Sequence, residues 1–393
     1  IELFLKVSKE KYYNLIDFGD TKIRFSVFDN NLDEKYSDNQ IIPINDQNKD
    51  HFKAIETIIK KAEKKISFHI TDLILFLDSK DLHTIDITLN KNLDKKLEIN
   101  ELLKFLKLEL NQIIMKYYDN LKILHITENK CIIDNEDQYI DIPKKKIVEN
   151  NIKVDFKVIC FPSTLVDQLK NSFIEKNLNL TNIFCTSFIK TKAYIKKLPQ
   201  KKISFLDIGK EKTSFIFYEY NRLKHIQTIP IGGHHITKDI SKILNITIEE
   251  AEIIKKSFNK SETEFSYKDN NNYSTSIRDV LKKNISIDTL KKVILYRIQE
   301  ILDLIFKKSN ISKYNIRLNE TELFLIGGGS TLFDNNSFYL NDKFEFKSLN
   351  FYSETDKDIC YSGLIFHINN YKLSKSINKK PGLFEKFFNF FSE

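Results

Sequence analysis

Residues Ile203–Lys255 have the sequence ISFLDIGKEKTSFIFYEYNRLKHIQTIPIGGHHITKDISKILNITIEEAEIIK, and this stretch decides the fold. An apolar strand, Phe205–Gly209, ends in Asp-x-Gly, and a second apolar strand, Ser214–Tyr218, follows it. A glycine turn at Gly232–Gly233 then leads into a helix. The two strands predict a hairpin whose turn presents backbone N–H groups to a phosphate, with Asp207 suited to hold hydrated Mg²⁺. The stretch therefore predicts one half of a nucleotide clamp.

The same pattern occurs once more, near the start of the chain. An apolar strand ends in Asp17-x-Gly19, and the next segment, Lys22–Phe28, alternates polar and apolar residues as a half-buried strand does. Asp17 and Gly19 precede Asp207 and Gly209 by 190 residues. Two such hairpins predict a duplicated α/β fold with facing phosphate loops, in which Asp17 and Asp207 hold equivalent positions.

A third glycine turn follows the strand Leu323–Ile326. The chain has only 9 glycines, so three in succession are informative. Gly327, Gly328 and Gly329, followed by Ser330, would let the backbone lie flat against a base or a ribose. We expect a nucleoside seat at this turn.

Composition narrows the class of protein. The chain has 393 residues, enough for two or more domains, and it does not begin with Met, so its true beginning is expected to be missing. No apolar run is long enough to span a bilayer. The 4 cysteines are far apart, which favours a reduced, cytoplasmic protein. The net charge of +8 accompanies a general bias toward Lys, Asn, Ile and Phe, so we do not expect a nucleic-acid partner.

Residues 79–155 break the pattern of the two halves. A helix near Ile99–Tyr118 lies among alternating strands without any nucleotide-type turn. This segment predicts a small α+β insertion that acts as a folded spacer or a contact module.

The C-terminal segment 381–393 predicts an amphipathic helix. Six apolar residues share one broad face, and they are Leu383, Phe384, Phe387, Phe388, Phe390 and Phe391. Lysines precede this segment, which would favour an anionic lipid surface. The alternatives are packing onto the body of the protein and contact with another copy.

Taken in order, these motifs resemble those of FtsA, the actin-like cell-division protein. The most specific part is Ile229–Lys255, with Ile-Pro-Ile-Gly-Gly-His followed by Glu-Ala-Glu-x-x-Lys. The resemblance implies an actin-like (ribonuclease H-like) duplicated α/β fold with an inserted subdomain 1C and a C-terminal amphipathic helix. The implied divisions are subdomain 1A (1–78, 156–200 and 355–371), 1C (79–155), 2A (201–240 and 320–354), 2B (241–319), a linker (372–380) and a membrane-targeting helix (381–393).

The resemblance also implies ATP and Mg²⁺ as ligands, with Asp17 and Asp207 facing Mg²⁺ through water. The implied nucleotide-binding residues are Gly19, Asp20, Thr21, Lys22, Gly209, Lys210, Lys212, Thr213, Gly232, Gly233, Glu252, Lys255, Gly327, Gly328, Gly329 and Ser330. Glu252 and Lys255 would reach the ribose and adenine edges. Arg297 and Glu300 match a motif of the helix that receives the FtsZ C-terminal tail.

Further partners follow from the family. They are a second copy in a protofilament, anionic inner-membrane lipid, and other division proteins through subdomain 1C. The protein would tether FtsZ filaments to the cytoplasmic face of the inner membrane at the division septum and help assemble the septal ring.

The second phosphate loop departs from the family pattern. Lys210, Glu211 and Lys212 stand where the family has glycines and a threonine, and Asp20 adds an acid to the first loop. We therefore expect ATP to bind but to be hydrolysed weakly or not at all. Two alternatives remain, an actin-like cytoplasmic platform protein of type IV pilus assembly and a sugar kinase or polyphosphatase of the same superfamily.

Overall fold

The computed structural model describes residues 12–42, 49–135, 137–139, 146–195, 197–198, 201–257, 287–307, 316–333, 345–351 and 356–375. The strands are β1 (Tyr13–Phe18), β2 (Lys22–Phe28), β3 (Glu34–Ile41), β4 (Asp72–Leu77), β5 (His83–Asn92), β6 (Leu97–Glu98), β7 (Leu121–Ile133), β8 (Asp137–Tyr139), β9 (Ile147–Val148), β10 (Asn151–Pro162), β11 (Asn179–Cys185), β12 (Lys202–Ile208), β13 (Thr213–Glu219), β14 (Arg222–Ile229), β15 (Glu322–Ile326) and β16 (Ser348–Phe351). The helices are α1 (Lys49–Ile66), α2 (Ile99–Tyr117), α3 (Ser163–Ile174), α4 (Thr186–Ile195), α5 (Gly233–Leu244), α6 (Ile248–Ser257), α7 (Ile287–Phe306) and α8 (Asp356–Lys375).

The first five-stranded sheet has the strand order β11-β4-β1-β2-β3. Strands β1, β2 and β3 pair antiparallel, whereas β4 runs parallel to both β1 and β11. Strand β4 is buried at five successive positions, Leu73–Leu77. Such a continuous apolar run is typical of a parallel strand covered on both faces.

The second five-stranded sheet repeats this arrangement in the order β14-β13-β12-β15-β16. Its hairpin β12–β13 has the register of β1–β2, since Asp207 lies opposite Ser214 as Asp17 lies opposite Arg24. Strand β15 runs parallel to β12, as β4 does to β1. The predicted duplicated α/β fold is confirmed.

An antiparallel sheet of order β5-β10-β7-β8 lies between β4 and β11 in the chain. Helix α2 packs on it through residues spaced three or four apart, namely Ile99, Leu102, Leu106, Leu110 and Ile114. Strand β10 pairs with β5 and β7 on its two sides as far as Cys160, and with β7 up to Pro162. The predicted boundary at residue 155 falls inside this strand, so residues 156–162 belong to the inserted sheet rather than to the first sheet.

Helices α4 and α8 lie between the two five-stranded sheets and give them a shared core. Phe188 of α4 and Leu364 of α8 belong to one buried cluster with Phe76 of β4 and Phe205 of β12. A Cβ atom on Gly363 would lie 2.1 Å from the Phe76 ring, so α8 approaches β4 only because this residue is glycine. The outer faces are covered by α1 and α3 on the first sheet and by α5, α6 and α7 on the second.

The C-terminal part of the fold ends with α8, which continues to Lys375 and so includes the first residues of the predicted linker. The predicted amphipathic helix at 381–393 lies outside the described residues. Among the helices that are described, none has the length and apolarity needed to cross a membrane.

Candidate functional site

The turns of the two equivalent hairpins face each other across a cavity of about 620 Å³. Twelve of the predicted site residues line this cavity, and they are Asp17, Gly19, Asp20, Thr21, Lys22, Asp207, Gly209, Lys210, Lys212, Gly327, Gly328 and Ser330. Residues separated by up to about three hundred positions in sequence therefore meet in one cleft, as the duplicated pattern predicted.

Asp17 of the first hairpin is paired with a cation of the next strand. Arg24 Nη1 donates to Asp17 Oδ2 at 2.7 Å, and the Thr186 hydroxyl donates to Oδ1 at 3.3 Å. Burial raises the pKa of Asp17, while the charges of Arg24 and Lys190 oppose this rise. Arg24 is the register partner of Asp17, so this pair follows directly from the hairpin geometry.

Asp207 of the second hairpin is paired with a cation from helix α4. Lys190 Nζ donates to Asp207 Oδ2 at 2.7 Å, and both side chains are almost completely buried. A buried lysine requires a partner, and the sequence carried that signal, since Lys190 stands among the apolar residues of α4. Sequence analysis nevertheless missed Lys190, together with the cavity-lining residues Arg24, Asp78 and Thr186.

Lys212 connects the two predicted phosphate loops across the cleft. Its Nζ lies 3.4 Å from Asp20 Oδ2 and donates to the carbonyl of Asp78 at 2.6 Å. Asp20, which was expected to repel phosphate, is thus partly neutralised by a lysine of the opposite loop.

The second loop is also fixed to the start of helix α5. The N–H groups of Gly233 and His234 donate to the carbonyls of Gly209 and Lys210 at 2.9 and 2.8 Å. A Cβ atom on Gly232 would lie 2.6 Å from both carbonyl oxygens. Gly232 and Gly233 therefore pack against the backbone of the second loop and do not line the cavity.

The third glycine turn closes over Asp207. Gly327 has φ +82°, and a Cβ atom here would lie 2.3 Å from Asp207 Oδ1. A Cβ atom on Gly328 would meet no protein atom within 4 Å, whereas one on Gly329 would strike Ile208 at 2.4 Å. Gly327 and Gly328 accordingly line the cavity, and Gly329 packs away from it.

Three further predicted nucleotide contacts lie away from the cavity. Lys255 Nζ donates to Glu252 Oε2 at 2.6 Å and also to Thr237 and the Gly233 carbonyl. Burial lowers the pKa of Lys255, and the Glu252 carboxylate opposes this effect. The Thr213 hydroxyl donates to the Ile231 carbonyl at 2.7 Å. Glu252, Lys255 and Thr213 thus satisfy one another or the backbone.

A groove of about 330 Å³ lies on the outer side of the second half. Its lining includes the predicted pair Arg297 and Glu300, and Arg297 binds Asp239 through two hydrogen bonds of 2.6 and 2.9 Å. Tyr296 and Ile243, which are 70% and 55% exposed, add apolar surface to the same groove.

The cleft does not fit the expected Mg²⁺. Three of the four carboxylate oxygens are engaged or covered by Arg24, Thr186 and Lys190, and Asp207 Oδ1 lies against the Gly327 backbone. A dication beside buried Lys190 and partly exposed Arg24 would also be repelled. Among the described residues, no group of three His, Cys, Asp or Glu could hold a metal ion.

Solved structures define the class of this fold. The chain is similar to the PilM-PilN type IV pilus biogenesis complex, with a TM-score of 0.57 at 13% identity over 91% of this chain and 98% of that chain. It is also similar to MreB5 of Spiroplasma citri bound to AMPPNP, with a TM-score of 0.50 at 15% identity over 93% of this chain and 98% of that chain. The protein has the actin-like ATPase fold.

Sequence comparison finds similarity to cell-division proteins of one description. The model of "Cell division protein FtsA" matches residues 204–349. FtsA of Bacillus subtilis (strain 168) is 22% identical over 258 residues, which are 64% of this chain and 57% of that protein. FtsA of Neisseria meningitidis serogroup B is 22% identical over 334 residues, 82% of this chain and 80% of that protein. The resemblance of this chain to FtsA is confirmed, although the match spans less than two thirds of the Bacillus relative.

Proposed function

We propose that this protein is an actin-like, nucleotide-binding scaffold of cell division that tethers FtsZ filaments to the cytoplasmic membrane and helps assemble the septal ring. The observation that carries the proposal is the meeting of two equivalent hairpin turns in one cavity, in a chain that is similar to FtsA. In this proposal the first sheet, the insertion, the second sheet and its outer helices are subdomains 1A, 1C, 2A and 2B.

ATP would lie across the cleft. The first loop offers its backbone and Lys22 to the phosphates, the second loop offers Lys210 and Lys212, and Gly327 with Gly328 would face the nucleoside. The lysines of the second loop supply charge but not the close backbone cradle that glycines provide. Hydrolysis is therefore weak or absent, and nucleotide serves as a structural or switching ligand.

Isothermal titration with ATP tests the cleft. Wild type should bind, and Gly328→Val should weaken binding at least about tenfold because a side chain would occupy the open space of the nucleoside seat. The unfolding midpoint should not change, since a Cβ atom there meets no protein atom within 4 Å. Absence of binding to the wild type would overturn the nucleotide role, and sugar-dependent ATP turnover would instead favour the kinase alternative.

The FtsZ C-terminal tail would bind the outer groove. Acidic and basic side chains there, together with exposed Tyr296 and Ile243, suit a short amphipathic peptide. Fluorescence anisotropy with a labelled tail peptide should show about a tenfold loss for Tyr296→Ala. Arg317→Ala, an exposed residue outside the groove, is the matched control and should bind normally. Binding of a pilus-protein peptide but not of the FtsZ peptide would favour the pilus alternative.

The segment 381–393 would anchor the protein to anionic inner-membrane lipid, which would place it at the cytoplasmic side of the septum. Each Phe that inserts contributes about 1.5–3 kcal/mol, so Phe384, Phe387, Phe388, Phe390 and Phe391 together support reversible binding. Deletion of 381–393 should abolish flotation with anionic vesicles, and unchanged flotation would exclude the anchor. Self-association in a protofilament and contacts of the insertion with other division proteins complete the proposal.

A further inference from the structure

Each acid at the bottom of the cleft already has a cation of its own chain. Arg24 holds Asp17 and Lys190 holds Asp207, both at 2.7 Å, and the side chains of Asp17 and Lys190 are less than a tenth exposed. These two acids are the groups that the duplicated pattern assigns to hydrated Mg²⁺. Guanidinium and ammonium groups therefore already occupy carboxylate oxygens that the prediction assigns to a metal and its water.

The charge of the whole cleft agrees with this arrangement. Its lining contains five basic side chains, Lys22, Arg24, Lys190, Lys210 and Lys212, against four acidic ones, Asp17, Asp20, Asp78 and Asp207. The cavity is therefore net positive without any ion from solution. A polyphosphate brings the negative charge that such a lining attracts. A divalent metal ion would have to displace or approach cations already in place.

We propose that Lys190 and Arg24 take the electrostatic role of the divalent metal, so that this protein binds nucleoside di- and triphosphates in their metal-free form. The inference rests on the proposed nucleotide-binding function. Both side chains line the cavity beside the acids they are paired with, so each presents positive charge to a phosphate bound there. A cleft built in this way binds phosphate without the metal that phosphoryl transfer requires, which agrees with weak or absent hydrolysis.

The first test is the affinity of the wild-type protein for ATP, measured by isothermal titration in EDTA and again in excess Mg²⁺. The two affinities should agree within about threefold, less than the effect of one charge-assisted hydrogen bond. An affinity at least about tenfold weaker in EDTA would overturn the metal-free site while leaving nucleotide binding intact. No binding in either condition would overturn the nucleotide-binding function itself.

The second test replaces the built-in cation. Lys190→Gln should weaken metal-free ATP binding at least about tenfold, and Mg²⁺ should restore part of the loss because Asp207 is then released for the metal. Lys192→Gln, on the same helix but outside the cavity, should bind ATP as the wild type does in both conditions. Equal metal-free affinity of Lys190→Gln and Lys192→Gln would contradict the role of Lys190. The wild-type comparison decides the question if Lys190→Gln does not fold.

Discussion

The two hairpins of the cleft have the same strand register, but their buried aspartates are paired with cations from different elements. In the first, Asp17 is paired with Arg24, its direct register partner on the next strand. In the second, the register partner of Asp207 is Ser214, and the cation comes from Lys190 on helix α4. The first half therefore takes its paired cation from its own hairpin, whereas the second takes it from a helix that joins the two halves.

This difference shows how a duplicated fold can diverge without changing its topology. A neutral residue at the position of Ser214 leaves a buried carboxylate that must be compensated from elsewhere. Helix α4 lies between the sheets, and its buried Lys190 supplies the missing cation. The same ion pair attaches α4, which leads from the first half to the second, to the strand that precedes the second loop. The second half should accordingly respond more strongly than the first to loss of its cation.

The largest expected effect is that of Lys190→Met. Removal of one partner of a buried ion pair leaves the Asp207 carboxylate uncompensated and should lower the free energy of unfolding by about 3–5 kcal/mol. Arg24→Met should cost less, because Arg24 is 23% exposed and Asp17 keeps the Thr186 hydroxyl and the nearby charge of Lys190. Urea denaturation of the two variants measures the difference.

The matched control is the double variant Lys190→Met with Asp207→Asn, which removes both charges. It should recover much of the stability lost by Lys190→Met alone. Equal losses for Lys190→Met and Arg24→Met would show that the two halves do not differ in this respect.

The pH dependence of stability tests a buried histidine behind each half. Burial lowers the pKa of His125, beside the first sheet, from 6.5 to about 3, and that of His225, in β14 of the second, from 6.5 to about 4. The unfolded chain takes up these protons near pH 6.5 and the folded chain does not. Stability should therefore fall as pH decreases below about 6.5, by at most roughly 1.4 kcal/mol per pH unit for each histidine.

Urea midpoints between neutral pH and about pH 5 check this expectation. His125→Gln and His225→Gln should each reduce the slope, and Gln at position 125 can still accept the hydrogen bond from the Cys185 N–H. A slope unchanged in both variants would mean that neither histidine is buried in its neutral form.

Substitution of the turn glycines should destabilise the first half more than the second, which is the reverse of the order expected for loss of the cations. A Cβ atom on Gly19 would lie 2.7 Å from the Lys22 carbonyl oxygen, whereas one on Gly209 would lie 3.1 Å from that of Lys212. Gly19→Ala should therefore cost about 1–3 kcal/mol, as overpacking does, and Gly209→Ala less. Thermal unfolding of both variants provides the comparison, and a larger loss for Gly209→Ala would contradict the tighter packing of the first turn.

The smallest effect on stability is expected for the ion pair between the two loops, formed by Lys212 and Asp20. Lys212→Gln removes the ion pair with Asp20, whose charges are 3.4 Å apart near the solvent, and should cost less than about 1 kcal/mol. The loss should shrink further at high salt. A stability loss as large as that of Lys190→Met would mean that this contact, and not the pair under α4, holds the cleft together.

Much of the fold could be predicted from the sequence, because local patterns determine it. Asp17-x-Gly19 and Asp207-x-Gly209 each follow an apolar strand at the same spacing, which specified two equivalent turns. The helix predicted near Ile99–Tyr118 is α2, which ends one residue earlier. The length of β10 could not be predicted from the sequence. Its first half alternates buried and more exposed side chains, its second half is almost continuously buried, and a bulge lies between Asp155 and Phe156.

The site was predicted less completely, because ion pairs depend on tertiary contacts. Nothing local relates Lys190 to Asp207, 17 residues further along the chain, until α4 packs against β12. Glu252 and Lys255 were expected to face the nucleotide, yet they bind each other and the start of α5. A pattern that identifies polar residues does not say whether their partner is a ligand or the protein itself.

Helix α5 has a mechanical consequence for the two ligand surfaces. Its first N–H groups, those of Gly233 and His234, hold the second loop, and its Asp239 holds Arg297 at the outer groove. With a rise of about 1.5 Å per residue, His234 and Asp239 lie only roughly 8 Å apart along one stiff rod. A ligand that displaces the loop while these bonds persist must swing that rod and move one wall of the groove.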